Sequence, residues 1–433
     1  MSKDARKWLE RGKSLLIVAL SCSALVLLLN TGQDSARSAG WLNRLQSLLP
    51  VGGGGQSGAV LLTETVRPVR MAVTTELGRY GVQYDNEKLD ELFEAVNPLL
   101  TESMAACGPA QKGGELGWRN ALESPGIYFD FLGEVPLSAL SDQEAGGLEQ
   151  PSARRVVLTV GQGVARLWYW NEADSAPYFC NLTGTLREQL EEFLAQYATE
   201  GGGSLFAYER EEYNALSDWQ LITAQEFAPQ VYQAANPLGG ELLNRVVQAA
   251  GFNPHSLYTV NGDLVVKDVG ATLRIRPDGR VTYTEAAGAA ARLSVAAAGE
   301  TATPAEAVEG TRELLEQTLG QVQSEARYYL ISCESQGDRL EVRFGCALDG
   351  AEVRLGGSGM FASFTVTGRQ VSAFTLHFRS YTAMETTSLV LPLQQAIASM
   401  LAVKPEGGEL LLCYPDTGAD GPISASWSVT ALS

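Results

Sequence analysis

Histidine is almost missing from this chain of 433 residues, which has two, His255 and His377. Neither has cysteines at ligand spacing, and there is no HExxH, Walker loop, dinucleotide fingerprint between strand and helix, or GxSxG elbow. Metal and nucleotide chemistry have no foothold, and no cofactor is expected. His377 falls between Leu376 and Phe378 on an apolar strand, a structural position. Basic residues are also few, 32 Lys and Arg against 50 Asp and Glu, a formal net charge of −18. That balance repels phosphate backbones and excludes nucleic acid as a partner. Carboxylates are plentiful, and Asp130 with Glu134 is the nearest approach to a strand-borne pair. A glycosidase pair also needs an aromatic-lined sugar cleft, which the sequence does not locate.

Long apolar runs are lacking except for one, Leu15 to Leu29, whose most polar members are Ser21, Cys22 and Ser23. At about 1.5 Å per residue it reaches roughly 22 Å, and Ser14, Asn30 and Thr31 extend it towards the ~30 Å hydrocarbon core. A spanning anchor and a cleaved signal peptide both fit. No small-x-small site directly follows the run, the nearest being Ala36-Arg37-Ser38, and Ala19-Leu20-Ser21 is a poor approach to an acylated Cys22, so a retained anchor is expected. Lys3, Arg6, Lys7, Arg11 and Lys13 outweigh Asp4 and Glu10, which keeps the leading tail cytoplasmic and the body outside, at the cell membrane. The division is a cytoplasmic tail at 1–13, an anchor at 14–31 and a juxtamembrane linker at 32–58. In the anchor, Ala19 and Ser23 with Ser21 and Cys22 make a small-residue stripe. Leu15, Ala19, Cys22, Ser23, Val26 and Leu29 are the expected contacts for a partner helix. Trp41 and Leu45, on one side of a short amphipathic piece, are candidates for lying among lipid headgroups; packing on the first domain is the alternative.

The remainder is long enough for two or three cores. A first α+β domain is expected over 59–222. It holds a helix capped by Asn86 that carries Leu89, Leu92, Phe93, Val96, Leu99 and Leu100 and is kinked or ended by Pro98, then the strands GIYFDFLG, RRVVLTV and VARLWYW, and a helix over Thr185–Ala198. In VARLWYW, Leu167 and Tyr169 face one way and Trp168 and Trp170 the other, which suggests a strand covered on both sides or one offering a binding surface. A middle unit over 223–302 has a helix ended by Gly251, then strands, two of them joined at Pro277-Asp278-Gly279. The C-terminal unit over 303–433 opens with Thr303, Pro304 and Glu306, a capping box with proline in the first turn. Leu315, Leu319 and Val322 face inward, four strands follow, then a helix over about Leu389–Leu401 and the strands ELLLCYP and SASWSV. The fold class is α+β: one N-terminal transmembrane helix, then a multidomain ectodomain of antiparallel sheets with packed helices.

Six cysteines could suggest a disulfide framework, but their positions argue against one. Cys22 is in the apolar run. Leu340, Val342, Phe344, Cys346 and Leu348 alternate onto one strand face, and Tyr329, Ile331 and Cys333 onto a face of the strand before. Pairing through Gln336-Gly337-Asp338 sets Cys333 opposite about residue 340, away from Cys346, so both read as core residues. Pairing of Cys413, or of Cys107 with Cys180, is left open.

The layout resembles the YycH/YycI group of extracytoplasmic regulators of Gram-positive bacteria. The segments that carry the likeness are VRPVRMAVT, PGIYFDFLGEVPLSAL, ATLRIRPDGRVTYT and the VSAFTLHFRSYT sheet. The resemblance implies a non-enzymatic protein that binds the membrane sensor histidine kinase of a cell-wall two-component system, with a paralogous regulator as a further candidate partner. It brings no catalytic residues. An envelope polymer or peptide binding module, with a groove in the C-terminal unit, is the alternative from a different class, and a carboxylate hydrolase is a third.

Overall fold

Alternating apolar residues between Met71 and Cys180 build the first sheet. The computed structural model describes residues 66–430 except 141–150, 162, 198–201, 225–226, 287, 289–291 and 297–298. Its first strands are β1 (Arg70–Thr75), β2 (Gly78–Gln83), β3 (Gln111–Lys112), β4 (Gly126–Pro136), β5 (Ser152–Gly161), β6 (Val164–Asn171) and β7 (Ala176–Asn181). They pair antiparallel in the order β2-β1-β4-β5-β6-β7-β3. Helices α1 (Asn86–Ala105) and α3 (Gly184–Gln196) cover the face that carries Leu167 and Tyr169, and α2 (Glu115–Glu123) covers the face that carries Trp168 and Trp170. Asp85, not Asn86, caps α1, accepting from the Lys88 amide at 3.1 Å. Pro98 does not end α1 either. Its missing donor costs one backbone bond, and buried Leu100 and Met104 hold the next turns against the sheet. Cys107, just past α1, is bonded to Cys180 of β7 with Cα atoms 5.8 Å apart.

A two-stranded ladder, β8 (Leu205–Phe206) with β9 (Leu221–Ile222), leads to the rest of the chain. There follow β10 (Gln230–Ala235), β11 (Tyr258–Val260), β12 (Asp263–Asp268), β13 (Ala271–Ile275), β14 (Arg280–Glu285), β15 (Arg327–Gln336), β16 (Arg339–Leu348), β17 (Ala351–Leu355), β18 (Met360–Thr367), β19 (Gln370–His377), β20 (Ser380–Thr387), β21 (Glu409–Asp416), β22 (Gly421–Ile423) and β23 (Ser426–Thr430). An 11-stranded sheet runs β11-β12-β13-β14-β19-β18-β16-β17-β21-β23, with β15 beside β16; β20-β10-β22 form a smaller sheet. Only the β17–β21 pair among the described ladders is parallel. The fold is thus mixed α+β with mostly antiparallel sheets. Strand β14 pairs with β19 from Arg280 opposite His377 to Thr284 opposite Ala373, so the boundary drawn at 302/303 falls inside one sheet.

Helices α4 (Gly240–Ala249) and α5 (Pro304–Thr318) pack into the same core as α1 and α3, while α6 (Leu393–Val403) makes a separate contact at the far end. The Thr303 hydroxyl accepts from the Glu306 amide and the Glu306 carboxylate accepts from the Thr303 amide, as the sequence predicts. Leu315, Leu319 and Val322 are buried.

One bulge corrects a predicted strand face. A register shift at Leu330/Ser332 buries Tyr329, Leu330 and Ser332, leaves Ile331 and Cys333 half-exposed, and puts Cys333 opposite Val342. A second shift at Phe344/Gly345 puts the extra residue, Phe361, on β18, and the expected face of β16 is kept, with Val342 and Phe344 buried in the larger core and Cys346 and Leu348 in the one under β10 and β20. Within its own irregularity between Asp130 and Val135, β4 crosses β15 so closely that a Cβ on Gly133 would lie 2.1 Å from the Leu330 carbonyl oxygen.

Candidate functional site

Six charged side chains gather where the first sheet meets β21: Arg70, Asp130, Arg154, Arg155, Glu172 and Glu409. Strands β1, β4 and β5 are neighbours, so Arg70, Asp130 and Arg155 stand side by side in the register. Asp130 accepts from Arg70 Nη1 at 2.7 Å and from Arg154 Nε and Nη2 at 2.8 and 3.0 Å. Arg154 also holds Glu409 through two bonds of 2.6 Å, and Arg155 reaches Glu172 at 3.3 Å and Glu409 at 3.5 Å. Burial opposes ionisation of Asp130, yet Arg154 and Arg70 hold its carboxyl well below the usual range. Burial likewise opposes ionisation of Glu409, and Arg154 and Arg155 pull it down. Fixed, ionised and engaged, these acids have no proton to give, and the cluster ties two sheets together. The Asp130–Glu134 pairing is therefore corrected: Glu134 is exposed, its pKa raised by partial burial and by Glu334, while the carboxylate facing the same arginines as Asp130 is Glu409. The missed signal was charge within otherwise apolar strands, at Arg70, Arg154 and Arg155.

The aromatic face of β6 is a closed layer. Trp118 of α2 is fully buried, its ring 5.7 Å from Trp170 and 6.3 Å from Trp219. Trp168 fits against Gly113 and Gly117, where a Cβ would lie 2.6 and 2.9 Å from its ring. Of the two readings of VARLWYW, the covered strand is the one observed. His255 is exposed on a short turn, and half-buried His377 faces Arg280 across the ladder, its pKa lowered by burial and by that arginine. No group of three or more metal-ligating side chains is found among the described residues.

An apolar groove remains in the C-terminal unit. Leu410 and Leu412 of β21 lie opposite Val429 and Trp427 of β23, which places all four on one sheet face. Helix α6 covers the β21 side of that face through Ala396, Ile397 and Met400 but leaves the outer strand part-open. A cavity of about 370 Å³ lies between α6 and β23, walled by Leu391, Met400, Val403, Leu410, Trp427 and Val429. The Trp427 indole donates to the Leu391 carbonyl at 2.8 Å, fixing the wall. The loop over Ala207–Gln220 supports the helix from below, where Gln220 exchanges hydrogen bonds with the Leu410 backbone at 2.8 and 2.9 Å. Leu389, Leu391, Val403 and Val429 remain exposed around the opening.

Leu15, Ala19, Cys22, Ser23, Val26 and Leu29, the expected helix contacts, and Trp41 and Leu45, the expected interfacial pair, lie outside the described residues. Among those described, no helix is long and apolar enough to cross a membrane.

Fold and site together define an α+β protein of mostly antiparallel packed sheets that carries an apolar groove. No protein-family model matches the chain, and no curated protein matches it in sequence. Among solved structures it is similar in fold to YycH from Bacillus subtilis, with a TM-score of 0.52 at 11% identity, over 86% of this chain and 95% of that one.

Proposed function

We propose that the chain is a non-enzymatic, membrane-tethered regulator that acts outside the cytoplasm by binding the sensor histidine kinase of a cell-wall two-component system, with a paralogous regulator as a second partner and lipid around its anchor. The observation that carries this reading is the YycH-like fold over most of both chains. Two others support it. The strand-borne acids are held ionised by arginines, which disfavours the carboxylate hydrolase. The Cys107–Cys180 disulfide suits an oxidising compartment. Of the binding alternatives, the apolar groove suits a peptide or protein segment better than a polar wall polymer. The test is affinity purification of the full chain from membranes, with kinase-dependent transcription measured in a deletion strain. A kinase in the eluate and altered output are expected; neither appearing would overturn the proposal.

A further inference from the structure

The groove carries a protrusion, a hollow and an open strand edge in one patch. Leu389 is 101% exposed and Val403 88%, both beside the cavity of about 370 Å³, which is roomier than a leucine side chain. Strand β23 ends the large sheet, pairs with β21 on one side and with no described strand on the other. Its residues, Ser426 to Thr430, place neither charge nor proline on that edge, the usual guards against strand pairing. No charged residue occurs between Glu385 and Lys404, although the chain carries a net charge of −18.

We propose that this face joins two copies of the chain about a twofold axis through β23. A patch with both knob and hole is complementary to itself, which is what an isologous contact requires. Antiparallel pairing centred on Ser428 would set Trp427 against Val429 of the partner subunit on the cavity side, and Leu389 would enter the partner's hollow. The Ser428 hydroxyl is on the opposite face, bonded to Arg354, and stays undisturbed. Charge favours this occupant. Two acidic chains can close tightly only where no acid faces an acid, and α6 with its preceding loop and β23 supply such a surface; more distant charges are screened over roughly 8 Å. Lipid fits worse, because hydrocarbon would leave the β23 backbone groups unpaired.

The test uses the full chain in its membranes. Val429→Cys, treated with a short bismaleimide, is compared with Val269→Cys at a remote exposed hairpin tip. A crosslinked species of twice the chain mass, at least tenfold more abundant from Val429→Cys, is expected. Adding Leu389→Asp should abolish it without lowering protein level or thermal stability, since Leu389 has no burial to lose. Equal crosslinking from both sites overturns the proposal. So does an adduct of any other mass, which would assign the groove to a different protein, or protection of the introduced thiol by the bilayer without a dimer. None of these readouts depends on the kinase, so this proposal and the functional one fail separately.

Discussion

Arg154 is the residue on which the joint between the sheets depends. It is the donor shared by Asp130 and Glu409, and truncating it leaves two buried carboxylates short of partners. Breaking a buried pair in this way costs about 3 to 5 kcal/mol. Arg154→Ala is therefore expected to lower unfolding free energy by that amount in urea titrations at pH 7, with secondary structure retained below the transition. The same cluster sets an acid limit. Asp130 and Glu409 are held below their ordinary values of 3.8 and 4.5, so the unfolded chain takes up their protons first. Their contribution is complete above about pH 4.5 and is lost as pH falls below it. Glu409→Gln should show a shallower loss of melting temperature from pH 5 to pH 3 than the parent; parallel curves would count against the assignment. Reading Asp130 from sequence stopped at its neighbours in the strand. What decides its chemistry is Arg70 and Glu409, brought to it by the sheet pairing and by the fold of the C-terminal unit.

At the scale of elements, local signals were legible and long-range ones were not. The box at Thr303, Pro304 and Glu306 is complete within four successive residues, and it starts α5 where expected. The two-faced pattern of β6 also survives, because Leu167 and Tyr169 on one face and Trp168 and Trp170 on the other are all buried. Strands β1, β2, β3, β7, β10 and β11 carried no reading, and β17, β20 and β22 also went unseen. Ala351–Leu355 and Gly421–Ile423 are short, and β20, SYTAMETT, exposes most of its residues and pairs, among the described strands, with β10 alone. Bulges defeat a strict alternation for a related reason: an extra residue reverses faces without marking the composition. The buried faces still allow a firm expectation. Phe344→Asp and Leu315→Asp place a charge where the side chain is 0% and 2% exposed. Each should cost at least several kcal/mol, comparable with a domain's whole stability of about 5 to 15, and appear as loss of cooperative melting. At the crossing of β4 and β15, Gly133→Ala is expected to lower the melting temperature, since its Cβ would meet backbone rather than a yielding side chain.

For the whole molecule, the apolar run and charged tail read as an anchor that lies outside the described residues, and what the described residues offer on compartment is the disulfide. Cys107 follows α1 and Cys180 is in β7, 73 residues apart, and both are buried. The cysteines were visible in the sequence but their pairing was not, because it depends on α1 lying across the sheet so that its end reaches β7. Closing a loop of that length limits the unfolded chain and contributes typically about 2 to 4 kcal/mol. Such a bond forms outside the cytoplasm and is rare within it. The full chain, denatured without reductant and treated with a maleimide polymer, should therefore show two fewer modified thiols than after reduction. In the Cys107→Ser, Cys180→Ser double variant that difference should vanish. A chain lacking residues 1–31, made in the cytoplasm, should have both thiols free and melt at lower temperature. If the full chain instead shows both thiols free while the anchor is intact, the body is on the cytoplasmic side, and the proposed meeting with a kinase outside the cell fails with it.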